Sequence, residues 1–258
     1  MIKNKVILIL IDGMRPDGLM QCGNPYVSEL MKLGSYTLDA KTVFPSVTLP
    51  CHVSLFYSVP PTRHGTTTNK YMPPVHPLDG MLEEIHKMRK KSAAFYTWEP
   101  LRDVAPPGTL SFSLFKEINS IADSDTYVTD KALEYIGEES PDFVFLYLGD
   151  TDEKGGHGHG WMSEEYLGYV STAIDNVKRA ILAYGDKYTV IITADHGGHA
   201  RMHGTDSPED MTVPMIFIGD GFEAGRCLRD VSILDIAPTV TKILKVPTAS
   251  EWEGKALC

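Results

Sequence analysis

Three strongly apolar runs in this chain each give way to acid and histidine. Val6 to Ile11 is followed by Asp12 and Gly13. Phe143 to Leu148 is followed by Asp150, Asp152 and a Gly/His stretch holding His157 and His159. Tyr188 to Thr193 is followed by Asp195, His196 and His199, with His203 soon after. Any one Asp after a strand reads equally well as a helix cap. Three together, interleaved with histidine, point to a shared centre. If the strands are neighbours, their ends bring carboxylates within a few ångströms of one another, which is costly unless cations neutralise them. Divalent metal resolves that cost. A mixed Asp/His set without grouped thiolates suits Zn²⁺ or Mn²⁺ in a catalytic site better than a structural Cys cage. Glycines beside His157, His196 and His203 let the backbone turn sharply and approach the ions. The bland alternative, histidines that cap loops or titrate on the surface, stays open at this point.

A metal site that hydrolyses also needs a nucleophile, and the segment Phe44 to His52 offers one. Pro50 suits the first position of a helix, where its missing N–H costs nothing. Thr48 then sits at the helix N-terminus, whose free amides and dipole favour an alkoxide and a bound phosphoryl group. A metal-lowered hydroxyl pKa would let Thr48 attack at neutral pH, while a plain capping role is the alternative. Phosphate-loop, nucleophile-elbow and dinucleotide motifs are absent, which removes the main support for P-loop NTPase, α/β-hydrolase and dehydrogenase readings. Trp98, Glu99 and Arg102 follow a weak strand, and a turn with a core Trp is the preferred reading there.

The elements that must position these residues alternate. Strands are expected at Val6 to Ile11, Phe143 to Leu148, Tyr188 to Thr193 and Val213 to Ile218, with weaker ones at Thr37 to Val43 and Ser92 to Thr97. Helices are expected over Tyr26 to Leu33, Pro50 to Tyr57, Gly80 to Lys90, Asp125 to Gly137, Ser163 to Tyr184 and Ile233 to Leu244. This order predicts an α/β fold with a mostly parallel central sheet and helices on both faces, and one domain over residues 1–258. The Pro-rich stretch Tyr71 to Pro77 reads as a surface loop. At 258 residues, 43% hydrophobic and 22% charged, the composition is that of an ordinary globular protein. A net charge of -10 argues against nucleic acid as a partner. Four scattered cysteines read as reduced thiols. No run approaches the ~20 apolar residues of a membrane span, and Val6 to Ile11 is too short for a signal-peptide core, so no membrane association and a cytoplasmic location are expected.

The motifs Ile11-Asp12-Gly13, Thr48-Leu-Pro-Cys-His52, His64-Gly-Thr-Thr-Thr-Asn69, Asp152 with His157, Thr193-Ala-Asp-His-Gly197 and His203-Gly204 stand in an order and spacing that resemble the alkaline phosphatase superfamily, nucleotide pyrophosphatase/phosphodiesterase-like branch. The resemblance spans nearly the whole chain. It implies an alkaline phosphatase-like fold and a hydrolase of small phosphate esters with a phospho-Thr48 intermediate. It also implies two metal ions, Zn²⁺ or alternatively Mn²⁺. By position, Asp12, Thr48, Asp195 and His196 would hold one ion and Asp152, His157 and His203 the other, while the Asn69 amide would donate to a phosphoryl oxygen. Taken alone, Asn69 reads as a turn residue.

Two departures bear on this. Cys51 stands where the family usually has Asn. Asp152 and His157 are one residue further apart than usual, a spacing that Glu153 would restore and that leaves His159 as a near neighbour; the extra residue is expected to be absorbed as a bulge at Gly155 and Gly156. His199 competes with His203. A sulfatase reading of Cys51 fails because Val53 and Leu55 stand where its modification motif needs Pro and Arg. Alternatives to a phosphodiesterase are a phosphomonoesterase, a phosphonate hydrolase, or a binding protein that keeps the site without turnover.

Overall fold

The computed structural model describes residues 3–74 and 76–258; Val75, within the stretch read as a surface loop, lies outside them. From β1 (Val6–Ile11) the chain runs through α1 (Pro16–Gln21) and α2 (Tyr26–Leu33) to β2 (Ser35–Lys41), then through α3 (Thr48–Tyr57), α4 (Pro61–His64) and α5 (Met81–Lys87) to β3 (Ser92–Tyr96). There follow β4 (Phe112–Phe115), α6 (Ser124–Glu139), β5 (Phe143–Leu148), α7 (Glu164–Tyr184), β6 (Thr189–Thr193), α8 (Pro208–Met211), β7 (Thr212–Ile218) and α9 (Ile236–Leu244).

The strands form one sheet in the order β2-β7-β6-β1-β5-β3-β4. β1 lies at its centre, with every residue buried, because a strand covered by helices on both faces needs apolar side chains on both. α3, α5 and α9 pack together on one side, and α1, α2, α6 and α7 on the other. The sheet is mixed: β6, β1, β5, β3 and β4 run parallel, whereas β7 is antiparallel to both β6 and β2. No helix among the described residues is long and apolar enough to cross a membrane.

For the site, the decisive feature is the register of three neighbours. Ile11 of β1 lies opposite Leu148 of β5, and Leu10 lies opposite Thr193 of β6. The carboxyl ends of β5, β1 and β6 are therefore level, and the acids that follow them emerge side by side. This is the edge at which ligands bind in open α/β sheets.

Candidate active site

β1 and β6 carry the first cluster. Asp12, Asp195 and His196, all buried, offer ligand atoms within 4.8 Å of one another. Nε2 of His196 lies 3.3 Å from Oδ1 of Asp12 and 3.4 Å from Oδ2 of Asp195. Each ligand is held from outside. The Tyr147 hydroxyl, from β5, donates to Oδ2 of Asp12, and the Gly13 amide donates to Oδ1 of Asp195 at 3.3 Å. His196 Nδ1 lies 2.7 Å from the Gly197 carbonyl, so it carries the proton and Nε2 presents its lone pair to the cluster.

Thr48 reaches the same point from α3. Its hydroxyl lies 3.1 Å from His196 Nε2. α3 is buried along its whole length, so its N-terminus is aimed into the protein at the ends of the strands. The helix starts at Thr48, two residues before the expected start at Pro50, with Val47 as the extended cap residue. Pro50 is tolerated as third residue because the first four N–H groups of a helix have no partner within it. Asn69 fills part of that deficit: its Oδ1 accepts the Leu49 N–H at 3.0 Å, which turns its Nδ2 donor away from the helix. His52, one turn on, places Nδ1 2.7 Å from the Thr48 carbonyl and 3.4 Å from Asp195 Oδ2, tying the first turn of α3 to the cluster.

The second cluster comprises Asp152, His157 and His203. Its extra residue is absorbed by a π-helical turn, Thr151–His157, and not by the expected glycine bulge. A turn bonded i to i+5 brings residues five apart onto one face, and His157 Nε2 lies 3.4 Å from Asp152 Oδ2. The paired glycines serve packing: a Cβ on Gly156 would come within 2.6 Å of the Trp161 ring. His203 Nε2 is 3.9 Å from Asp152 Oδ1, and its ring stacks on His196 at 3.8 Å, joining the clusters. His157 Nδ1 and His203 Nδ1 lie 3.0 and 2.9 Å from the carbonyls of Arg201 and Ser46, so both present Nε2 inward. Gly13 is required between the clusters: its φ is +66°, and a Cβ there would stand 2.9 Å from Asp152 Oδ1.

Behind the π turn, α6 and the residues after β5 clasp each other. Asp125 accepts the Gly149 amide at 2.8 Å and the Asp150 amide at 3.2 Å, while Asp150 accepts the Ser124 amide and hydroxyl at 3.2 and 2.6 Å. Lys154 Nζ completes the arrangement 2.9 Å from Asp150 Oδ1.

Electrostatics tests whether cations fit. Burial, and then Asp195, push the Asp12 carboxyl well above the usual carboxylate range; burial pushes Asp195 up to about 7; burial with Asp12 and Asp195 raises Asp152. Burial lowers His196, and burial with His196 pushes His203 down to about 3. Oδ1 of Asp12, Oδ1 of Asp152 and Oδ2 of Asp195 are buried without a hydrogen-bond partner among the described residues. Buried carboxylate oxygens facing neutral imidazole lone pairs are destabilising unless a cation sits among them. The donor sets therefore fit two divalent ions.

The family comparisons agree with this chemistry. Residues 6–106 match the model of type I phosphodiesterases/nucleotide pyrophosphatases, and residues 117–248, just over half of the chain, match the metalloenzyme superfamily. The chain belongs to the alkaline phosphatase superfamily. It is 30% identical over 136 residues to the 2,3-bisphosphoglycerate-independent phosphoglycerate mutase of Clostridioides difficile, covering 50% of this chain and 26% of that one. It is 26% identical over 219 residues to human ectonucleotide pyrophosphatase/phosphodiesterase family member 1, covering 74% and 23%. The chain thus matches about a quarter of the length of these curated relatives. Murine ectonucleotide pyrophosphatase/phosphodiesterase 5, inactive and in complex with AMP, shares the fold with a TM-score of 0.80 at 16% identity over 97% of both chains. A phosphonate monoester hydrolase from Silicibacter pomeroyi does so with a TM-score of 0.76 at 14% identity, over 98% of this chain and 75% of that one.

In this superfamily member the structure brings together Asp12, Thr48, Asn69, Asp152, His157, Asp195, His196 and His203. The neighbouring candidates lie apart: exposed His159 has Nδ1 3.8 Å from Glu165, His199 pairs with Asp210 at 2.7 Å, and Cys51 is buried against Thr42. Trp98, read as a core residue of a turn, is half-buried against the core and also lines the cavity beside Thr48, as does Tyr147. Tyr147 went unread although its hydroxyl is the one polar tip in an otherwise apolar strand, the signal that could have found it. Trp161 and Tyr166, which both donate to the Gly13 carbonyl, carried no such signal.

Proposed function

We propose that this chain hydrolyses phosphate esters, in the manner of phosphodiesterases and nucleotide pyrophosphatases, through a covalent phospho-Thr48 intermediate. The observation that carries the reading is the Thr48 hydroxyl, set at the start of a buried helix 3.1 Å from His196 Nε2 and facing a cavity lined by members of both clusters. Asp12, Thr48, Asp195 and His196 would hold one divalent ion and Asp152, His157 and His203 a second, Zn²⁺ by donor type with Mn²⁺ as the alternative. Bound there, the ions supply the positive charge that makes the hydroxyl acidic and neutralises phosphoryl oxygens.

The residues then divide the work. Thr48 Oγ bonds to phosphorus as the ester P–O bond breaks; the hydroxyl proton passes to solvent and the departing alkoxide takes one from water. Water next bonds to the same phosphorus, the P–Oγ bond breaks, and Thr48 regains its proton. Asn69, oriented by its bond from Leu49, offers Nδ2 to a phosphoryl oxygen. Tyr147 keeps one oxygen of Asp12 occupied and the other free. A screen of phosphate diesters, monoesters, phosphonates and sulfate esters with Zn²⁺ and then Mn²⁺ tests the reaction class, and Thr48→Ala tests the nucleophile. Tight binding of phosphate ligands without turnover of any ester would favour a binding protein.

A further inference from the structure

The cavity beside Thr48, about 100 Å³, has walls that neither cluster uses. Trp98, half-buried after β3, and Ile118, buried on the short turn Ile118–Ser120, form its apolar side. Trp161 and Trp252 donate their indole N–H groups to the carbonyls of Gly13 and Asp79 at 2.9 and 2.8 Å, whereas Trp98 has no such partner among the described residues. Trp98 is therefore not a tryptophan pinned into the core by its polar edge.

Charge on the same walls has one sign. Asp12, Asp152 and Glu153 line the cavity, with no Lys or Arg among the described residues that line it. The next residue, Lys154, points elsewhere: its Nζ is 2.9 Å from Asp150 Oδ1 and 3.1 and 2.9 Å from the carbonyls of Ile121 and Ala122. Ions held by the clusters offset Asp12 and Asp152. Glu153 belongs to neither cluster and is exposed, and among the described residues its carboxylate accepts only a 3.4 Å bond, at Oε1 from Asn119.

We infer that the organic group of the ester seated here is a small alcohol bearing positive charge, of the ethanolamine or choline type, with Glu153 as its counter-charge and Trp98 as its aromatic wall. A cation gains from a tryptophan face and a carboxylate together. An anionic group such as a further phosphate would meet Glu153 with no Lys or Arg on the wall to offset it. The inference rests on the phosphoester reading above and adds the substrate class.

The test compares para-nitrophenyl phosphorylcholine with its uncharged isostere, in which carbon replaces the ammonium nitrogen, on the metal-loaded protein. The charged ester should be preferred by about tenfold in kcat/KM. Glu153→Gln should bring that ratio close to one, and Trp98→Leu should raise KM for the charged ester more than for the neutral one. Equal kcat/KM values for the two esters, a ratio unchanged in Glu153→Gln, or a preference for AMP over both would overturn the inference. So would loss of a bound ion in Glu153→Gln, which would make that residue a ligand. Calorimetric titration with phosphocholine and its uncharged isostere reads the same preference without turnover. Failure to hydrolyse any ester, bis(para-nitrophenyl) phosphate included, would instead overturn the phosphoester reading and leave the charge preference measurable.

Discussion

The two ligand clusters sit side by side at one edge of one sheet, yet they are built differently. Asp12, Asp195 and His196 stand directly on the ends of β1 and β6, and the His196 side chain is 0% exposed. Asp152 and His157 ride on a π turn beyond β5, and the His157 side chain is 38% exposed. The first cluster inherits its geometry from the sheet register, with the Tyr147 hydroxyl and the Gly13 amide as props. The second depends on the clasp between Asp125, Asp150 and Lys154 to hold its turn. Geometry fixed by a sheet resists local change, whereas geometry fixed by a turn is only as firm as the contacts behind it. Metal titration of the metal-free protein should accordingly show two affinities, the tighter one at the first cluster.

The strongest perturbation lies at the first cluster. Thr48→Ala should lower ester turnover by about 10⁴-fold or more while both ions remain bound, as read by steady-state kinetics and elemental analysis. At the second cluster, His157→Ala or His203→Ala should each remove about one ion per chain and slow turnover by about 10²-fold. Loss of both ions in either variant would mean that the clusters do not bind independently. Asp125→Asn should weaken only the second ion, by about tenfold in a calorimetric titration; an equal loss at the first cluster would show the clasp to be a general packing element. His159→Ala should change metal content and turnover by less than about twofold. If it strips an ion and His157→Ala does not, the π turn is threaded differently.

The same contrast separates what could be read in the sequence from what could not. β1 and β5 were legible to the residue because strands buried on both faces are continuous apolar runs. Acids immediately after those strands, and after β6, followed from the rule for ligand sites in open sheets. β4 was missed: four residues at the sheet edge, Phe112–Phe115, with alternating burial, carry too little apolar signal. The start of α3 was misplaced because Pro is accepted throughout a first turn and so marks it only loosely. The π turn had no advance signature, since i to i+5 bonding is not favoured by any residue type, and its glycines answered to neighbouring aromatics, Gly155 to Tyr166 and Tyr169 and Gly156 to Trp161, and not to their own dihedrals. Trp98 was read correctly as packing against the core, but a tryptophan after a strand gives no signal that its other side walls a cavity.

The central claim is that phosphorus is transferred first to Thr48 and only then to water, and the stereochemistry of hydrolysis at phosphorus tests it most directly. Each in-line displacement inverts configuration. With a chiral phosphorothioate diester hydrolysed in isotopically labelled water, the two displacements through Thr48 predict net retention. Net inversion would mean that water attacks the ester directly, and Thr48 would then be a metal ligand and not the nucleophile.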